Sequence, residues 1–433
     1  MAAAPRALAH LVTFTLAALA LAPVTAASAR GSVRAPDGLA SRPEHARAPG
    51  IARAAQAGTT DPLTAEQWSL KSDDAMGTET AWRQTTGADV TVAIVDSGVD
   101  LGHPDLAPNL WTNPGEIPGN GVDDDGNGYV DDVHGYDFVD GDADPQDENG
   151  HGTHVAGIVG ARGGNGIGGS GVAWRARLMA VRVLDDQARG STAAVAQGIH
   201  YAVDNGARIV NLSLAGPTAT ADLEEAVRYA QDHGVLIVAA AGNAGADLAS
   251  TPTYPAALPE DNVLGVAATA QGGVLSSVSD YGPGADVAAP GEQILSTALG
   301  GGYEWRTGTS MAAPHVTGAL VLLAAARPDL DALGLRDALL GHVRHTGLAV
   351  ESGALDVGAA LQAVIAPDRW NAAPASVRAT PRRTSPTTAA VRGHAKAAKA
   401  KVRARRAAAR RRARARAVRA RRARALRARS AHR

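Results

Sequence analysis

At 433 residues, with 45% hydrophobic residues and no cysteine, the chain is long enough for one large domain with appendages, and its composition excludes a disulfide framework. The formal net charge of −1 hides two opposed regions: residues 369–433 carry 23 Lys and Arg and no acid, leaving 19 bases against 43 acids before them. The body is strongly acidic and the tail strongly basic.

Residues 1–29 hold one early arginine, an apolar run from Leu8 to Pro23, and the small residues Ala27, Ser28 and Ala29, the pattern of a secretory signal peptide with its cleavage site. The run is short and alanine-rich and no later run is long enough to span a bilayer, so the mature chain is expected to be secreted without a transmembrane segment. Residues 30–60, rich in Ala, Arg, Pro and Gly without periodicity, read as a short leader or linker. The body, residues 61–366, carries a run from Val90 to Val95 ending on Asp96, which fits a buried parallel strand delivering a carboxylate at its C-terminal end. Similar runs from Leu178 to Leu184, Ile209 to Leu214 and Val235 to Ala241 alternate with helical spacing at Ala193 to Asn205 and Leu223 to His233. This alternation predicts an α/β fold: a doubly wound, mostly parallel central sheet with helices on both faces, flanked by disordered termini.

Beyond Asp96 the chain becomes dense in carboxylates between Asp123 and Glu148. Asp123-Asp124-Asp125-Gly126-Asn127-Gly128 alternates oxygen ligands with turn-making glycines, reading either as a solvated acidic loop or as a calcium loop whose ion relieves the repulsion. His151-Gly152-Thr153-His154 opens a helical stretch. His151 reads as a general base, since a neutral imidazole accepts a proton near neutral pH; a metal pair with His154 or a buried structural histidine is the alternative. Asn211-Leu212-Ser213-Leu214 ends one strand with backbone groups suited to an added peptide strand. Asn243 ends the next, as either a turn residue or an amide donor to an oxyanion. Ser310, two residues after Gly308 and ahead of an apolar helical run from Val316 to Ala326 with Pro314 in its first turns, is either a helix cap or a nucleophile at the positive end of a helix dipole.

Together, Asp96-Ser97-Gly98, His151-Gly152-Thr153-His154-Val155-Ala156-Gly157 and Gly308-Thr309-Ser310-Met311-Ala312-Ala313-Pro314-His315 resemble the three signatures of the subtilisin-like serine proteases, in that family's Asp, His, Ser order. The resemblance covers about residues 61–364. It implies a triad of Asp96, His151 and Ser310, an oxyanion asparagine at Asn243, and a substrate-binding segment of Ser213, Leu214, Ala215 and Gly216, where Ala215 replaces a usual glycine. Within the family the thermitase branch is the closer likeness, and it implies structural Ca2+. Asp137, Asp140, Asp142, Asp144 and Gln146 would hold one ion; Asp61, Asp105, Asn165 and Ile167 would hold another. The insertion from Gly115 to Gly135 lengthens the segment between Asp96 and His151. Ala244 and Thr253, small and uncharged, are expected near the first specificity pocket and favour apolar residues there. The stretch after the signal is shorter and less patterned than the folding-assistant propeptide most subtilases carry.

Residues 367–433 form a basic tail, nearly all Ala and Arg from Ala397 to Arg429, whose self-repulsion favours disorder in isolation and attraction to polyanions such as cell-wall polymers or nucleic acid. The sequence thus reads as a secreted, calcium-stabilised, monomeric serine endopeptidase cleaving proteins and peptides, with cell-wall association through the tail. Two readings from other classes are a polyanion-binding protein acting through the tail and a catalytically silent, peptide-binding subtilase. The first requires the tail for function, and the second is opposed by the complete triad.

Overall fold

The structure, a computed structural model, describes residues 60–71 and 76–366 together with a three-residue strand, β1 (Thr13–Thr15). Most of the expected signal, the leader and all of the basic tail lie outside the described residues. In chain order the elements are α1 (Thr78–Trp82), β2 (Thr91–Asp96), β3 (Gly135–Asp137), α2 (His151–Gly160), β4 (Arg177–Arg182), β5 (Arg189–Ser191), α3 (Thr192–Asp204), β6 (Ile209–Leu212), α4 (Ala221–Asp232), β7 (Leu236–Ala240) and β8 (Val263–Thr269). They continue with β9 (Val287–Pro290), β10 (Ile294–Ala298), β11 (Gly302–Arg306), α5 (Thr309–Ala326), α6 (Ala332–Leu340), β12 (Gly353–Ala354) and α7 (Val357–Ile365).

Eight strands form one sheet in the order β12-β9-β8-β7-β6-β2-β4-β3, every pairing parallel. Successive side chains on a strand point to opposite faces, so a sheet covered on both sides needs apolar residues at every position. That is why β2 and β4 read as unbroken hydrophobic runs. Val92 and Ile94 of β2 join the core shared with α2 and α5, whereas Ala93 and Val95 join the core shared with α3 and α4. The expected doubly wound sheet with helices on both faces is the fold observed. Strands β8, β9 and β12 extend the sheet beyond the expected runs. β10 and β11 pair as a separate antiparallel hairpin, and β1 pairs antiparallel with β5, Thr13 opposite Ser191 and Thr15 opposite Arg189.

One expectation is corrected. α5 is long and apolar enough, by length and hydropathy, to cross a membrane, although no run after the signal was expected to be. It lies inside the protein: 89% of its residues are buried, and it packs against β6, β7, β8 and β9 and against α2. It is the core helix of the fold.

Candidate active site

The strand order reverses at β2: β4 and β3 lie to one side, β6 and its successors to the other. In such sheets the crevice at the carboxyl ends beside the reversal is where ligands sit. Asp96 is the last residue of β2, Ser213 follows β6, and Asn243 lies just past β7. α2 begins at His151 and α5 places Ser310 in its first turn. The candidate residues spread over more than two hundred positions are thus delivered to one edge of the sheet.

His151 Nδ1 donates to Asp96 Oδ1 at 2.7 Å, both residues being buried. The same oxygen accepts from the Ser97 N–H at 2.7 Å, while Asp96 Oδ2 is buried without a donor among the described residues. This bond fixes the imidazole as the tautomer with its proton on Nδ1, leaving Nε2 as the acceptor. His154 turns the other way. Its Nε2 faces the carbonyls of Ile294 and Glu304 at 3.1 Å, and burial, with Arg306 adding to the effect, lowers its pKa to about 3. It is a neutral interior histidine, so the two histidines do not act as a metal pair.

Pro314 stands in the first turns of α5, as expected, four residues after Ser310, where its missing N–H leaves the Ser310 carbonyl without a helical donor. Ser213 Oγ fills that role, donating to Ser310 O at 2.8 Å, and Asn211 Nδ2 in turn donates to Ser213 Oγ at 2.9 Å. Thr317 Oγ1 completes the chain by donating to Asn211 Oδ1 at 2.8 Å. The Ser310 hydroxyl itself donates to the Ser213 carbonyl at 3.0 Å. The structure therefore brings Asp96 to His151 and Ser310 to Ser213; the serine hydroxyl is engaged with Ser213 and not with the imidazole. Gly216, at the far end of this segment, exchanges both backbone bonds with Tyr254, while Leu214 is buried and Ala215 partly exposed.

Asn243 Oδ1 accepts from Thr309 N at 2.8 Å and from Thr309 Oγ1 at 3.0 Å. With its oxygen so occupied, its NH2 is the end left facing the start of α5, within 3.1 Å of where a Cβ on Gly308 would sit. The Asn243 turn is braced by Asp280, which carries no motif that marks it in the sequence. One of its oxygens accepts from Ala244 N at 2.9 Å and Ala246 N at 2.8 Å, and its burial raises its pKa above the ordinary range. Its other oxygen would lie 2.1 Å from a Cβ on Gly242, so glycine is required there. Thr253 packs beside Gly242 and donates its hydroxyl to Ala241 O.

The expected metal ligands fall into three groups. Asp61 accepts from Gly164 N at 2.6 Å and Gly166 N at 2.8 Å, and Asn165 Nδ2 reaches Asp105 Oδ1 at 2.6 Å, so Asp61, Asp105 and the glycine-rich loop converge, with Ile167 exposed at its tip. Burial raises the Asp105 pKa; Asn165, Tyr303 and His103 oppose the shift and the Asp61 charge adds to it. In the second group, Asp137 and Asp140 close on the Arg182 guanidinium at 2.6 and 3.0 Å, with Glu148 at 2.6 Å. Gln146 gives its oxygen to Leu101 N at 3.1 Å, and Asp142 accepts from Asp144 N at 3.1 Å. An arginine thus supplies the positive charge expected of an ion. Lastly, Glu116, Asp123 and Asp125 in the acidic insertion place one carboxylate oxygen each within 4.8 Å of the others, and Asp123 Oδ1 is buried without a donor among the described residues. Glu116 was missed because it lies before the acidic run.

Residues 87–355 match the subtilase family of peptidases. Thermitase of Thermoactinomyces vulgaris is 45% identical over 245 residues, covering 57% of this chain and 78% of that protein. Subtilisin BL of Lederbergia lenta is 40% identical over 270 residues, covering 62% and 87%. A solved protease of Pseudoalteromonas arctica superposes with a TM-score of 0.61 at 30% identity, over 71% of this chain and 99% of its own. With the parallel sheet and the matched span agreeing, the chain belongs to the subtilase family and is a serine-type endopeptidase.

Proposed function

We propose that Ser310 is the nucleophile, His151 the general base and Asp96 the group that orients it, in hydrolysis of peptide bonds of protein and peptide substrates. The observation that carries this reading is the buried 2.7 Å bond from His151 Nδ1 to Asp96, set at the same sheet edge as a serine in the first turn of α5. Catalysis requires the Ser310 hydroxyl to leave the Ser213 carbonyl for His151 Nε2; such bonds commonly tighten only when substrate binds. Oγ attacks the carbonyl carbon as its proton passes to Nε2, the oxyanion takes hydrogen bonds from Asn243 Nδ2 and Ser310 N–H, and collapse returns the proton to the leaving amine. Water then repeats the cycle on the acyl-enzyme. The backbone of Ser213, Leu214, Ala215 and Gly216 lies along the acyl side. Replacing Ser310 by Ala should abolish casein hydrolysis while leaving circular dichroism and the melt unchanged; undiminished hydrolysis would sink the assignment.

The acidic loops support structural Ca2+. Asp61, Asp105, Asn165 and a carbonyl oxygen of the loop carrying Ile167 would hold one ion, and Glu116, Asp123 and Asp125 another, the hard cation neutralising clustered carboxylates. At Asp137 and Asp140, charge neutralisation falls first to Arg182, so a further ion at Asp142, Asp144 and Gln146 is the subordinate assignment. The amino-terminal pattern supports secretion of a monomeric enzyme, and the basic tail supports association with polyanions such as cell-wall polymers or nucleic acid.

A further inference from the structure

Asp147 is buried and accepts five hydrogen bonds. Oδ1 takes Ser97 Oγ, Asn149 N and Gly150 N, each at 2.9 Å. Oδ2 takes Thr153 N at 2.9 Å and Thr153 Oγ1 at 2.6 Å. Ser97 Oγ also accepts from Gly152 N at 2.9 Å, so one carboxylate ties the residue after Asp96 to the residues on either side of His151. Gly150, at the cap position of α2, has no side chain to satisfy the first N–H groups; Asp147 takes that of Thr153, Ser97 Oγ that of Gly152, and Asn149 Oδ1 that of His151 at 3.2 Å.

His151 is the first residue of α2, where the positive end of the helix dipole disfavours the imidazolium that a general base must become. We propose that Asp147 is a positioning residue whose buried negative charge offsets that dipole, keeping His151 basic enough to take the serine proton while fixing it against Asp96. This rests on the triad reading above. Among the described residues, charged or titratable groups near His151 include Asp96 from β2, His154 one turn along α2, and Arg306 from β11. The Arg306 guanidinium lies 3.2 Å from where a Cβ on Gly150 would sit and is itself paired with Glu304. Arg306 is cationic, so it adds to the handicap that Asp147 offsets.

The test is the pH profile of kcat/KM for a chromogenic peptide in the full-length chain, with active sites counted by a serine-directed phosphonylating reagent. D147N keeps the size and removes the charge, and it also sets an NH2 against donors that one carboxylate oxygen accepted. Its acid limb should move to lower pH by about 0.5–1 unit, and kcat should fall about two- to threefold at unchanged KM, since a weaker base takes the proton less well. D147S, a shorter neutral side chain, carries the same expectation should D147N not accumulate folded. D147E should restore the acid limb, and S97A, which loses a hydroxyl and no charge, should lower kcat without moving it. A merely structural role would lower kcat in all four at an unshifted limb. Coincident limbs for the wild-type and both neutral variants overturn the proposal. A wild-type chain that resists the reagent would overturn the triad reading instead.

Discussion

Pro314 withholds an N–H from the carbonyl of Ser310, Ser213 supplies a hydroxyl in its place, and the backbone of the proposed nucleophile is thereby tied to the segment proposed to bind substrate. At this scale two substitutions separate chemistry from framework. Asn243→Ala removes the proposed side-chain oxyanion donor and should lower kcat by about 10²–10³, a magnitude measured for an oxyanion asparagine in subtilisin, a relative of this chain. Steady-state kinetics with an unchanged circular dichroism spectrum checks it, and an unaltered kcat would contradict the oxyanion role. Gly152→Ala, by contrast, would set a Cβ 2.1 Å from the Gly98 carbonyl, wedging α2 away from the end of β2. It should therefore cost both activity and several degrees of melting temperature, read by peptidase assay and calorimetry. The candidate residues Asp96, His151 and Ser310 stood out because they sit in distinctive strings. Asp147 was not singled out, because a carboxylate in an acidic run looks like its neighbours until its five donors are seen.

Among the elements, the acidic loops between β2 and α2 are where charge decides stability. Arg182→Leu strands Asp137 as a buried, unpaired carboxylate and releases Asp140 and Glu148, and should cost about 3–5 kcal/mol by chemical denaturation. A loss under 1 kcal/mol would show the guanidinium to be dispensable. Calcium at a hundredfold excess over its dissociation constant should raise the thermal midpoint by about 5–10 °C, an unmoved melt on chelation counting against the ion sites. Its pH dependence follows from Asp105. The raised pKa means the ion-free fold binds this proton more tightly than the unfolded chain, so ionisation weakens that fold as pH rises through the carboxylate range. Calcium needs the ionised form. Its increment should thus be full at neutral pH and lost on acidification at a higher pH than for an ordinary aspartate site. The strands near the triad were readable from their valine and isoleucine runs. β9 and β12 were not, since Val-Ala-Ala-Pro and Gly-Ala carry little period or bulk and become strands only by pairing with a sheet already formed.

In the whole molecule, the described body closes on itself: α7 packs against α1, α5 and α6, and its last helical residue is Ile365. A chain ending at Asp368 should keep its casein hydrolysis and lose salt-sensitive retention on heparin beads, whereas loss of hydrolysis would give the tail a part in the active fold. The layered architecture was legible because a sheet covered on both faces writes long apolar strings into its strands. The resting position of the Ser310 hydroxyl was not, since a side-chain torsion leaves no trace in residue order. The most direct measurement of the central claim is intact-mass and peptide-level analysis of the full-length protein after treatment with a fluorophosphonate. One adduct per chain, on Ser310, with peptidase activity falling in proportion and no labelling of His151→Ala, is expected. An unmodified Ser310, or activity that survives complete modification, would contradict it.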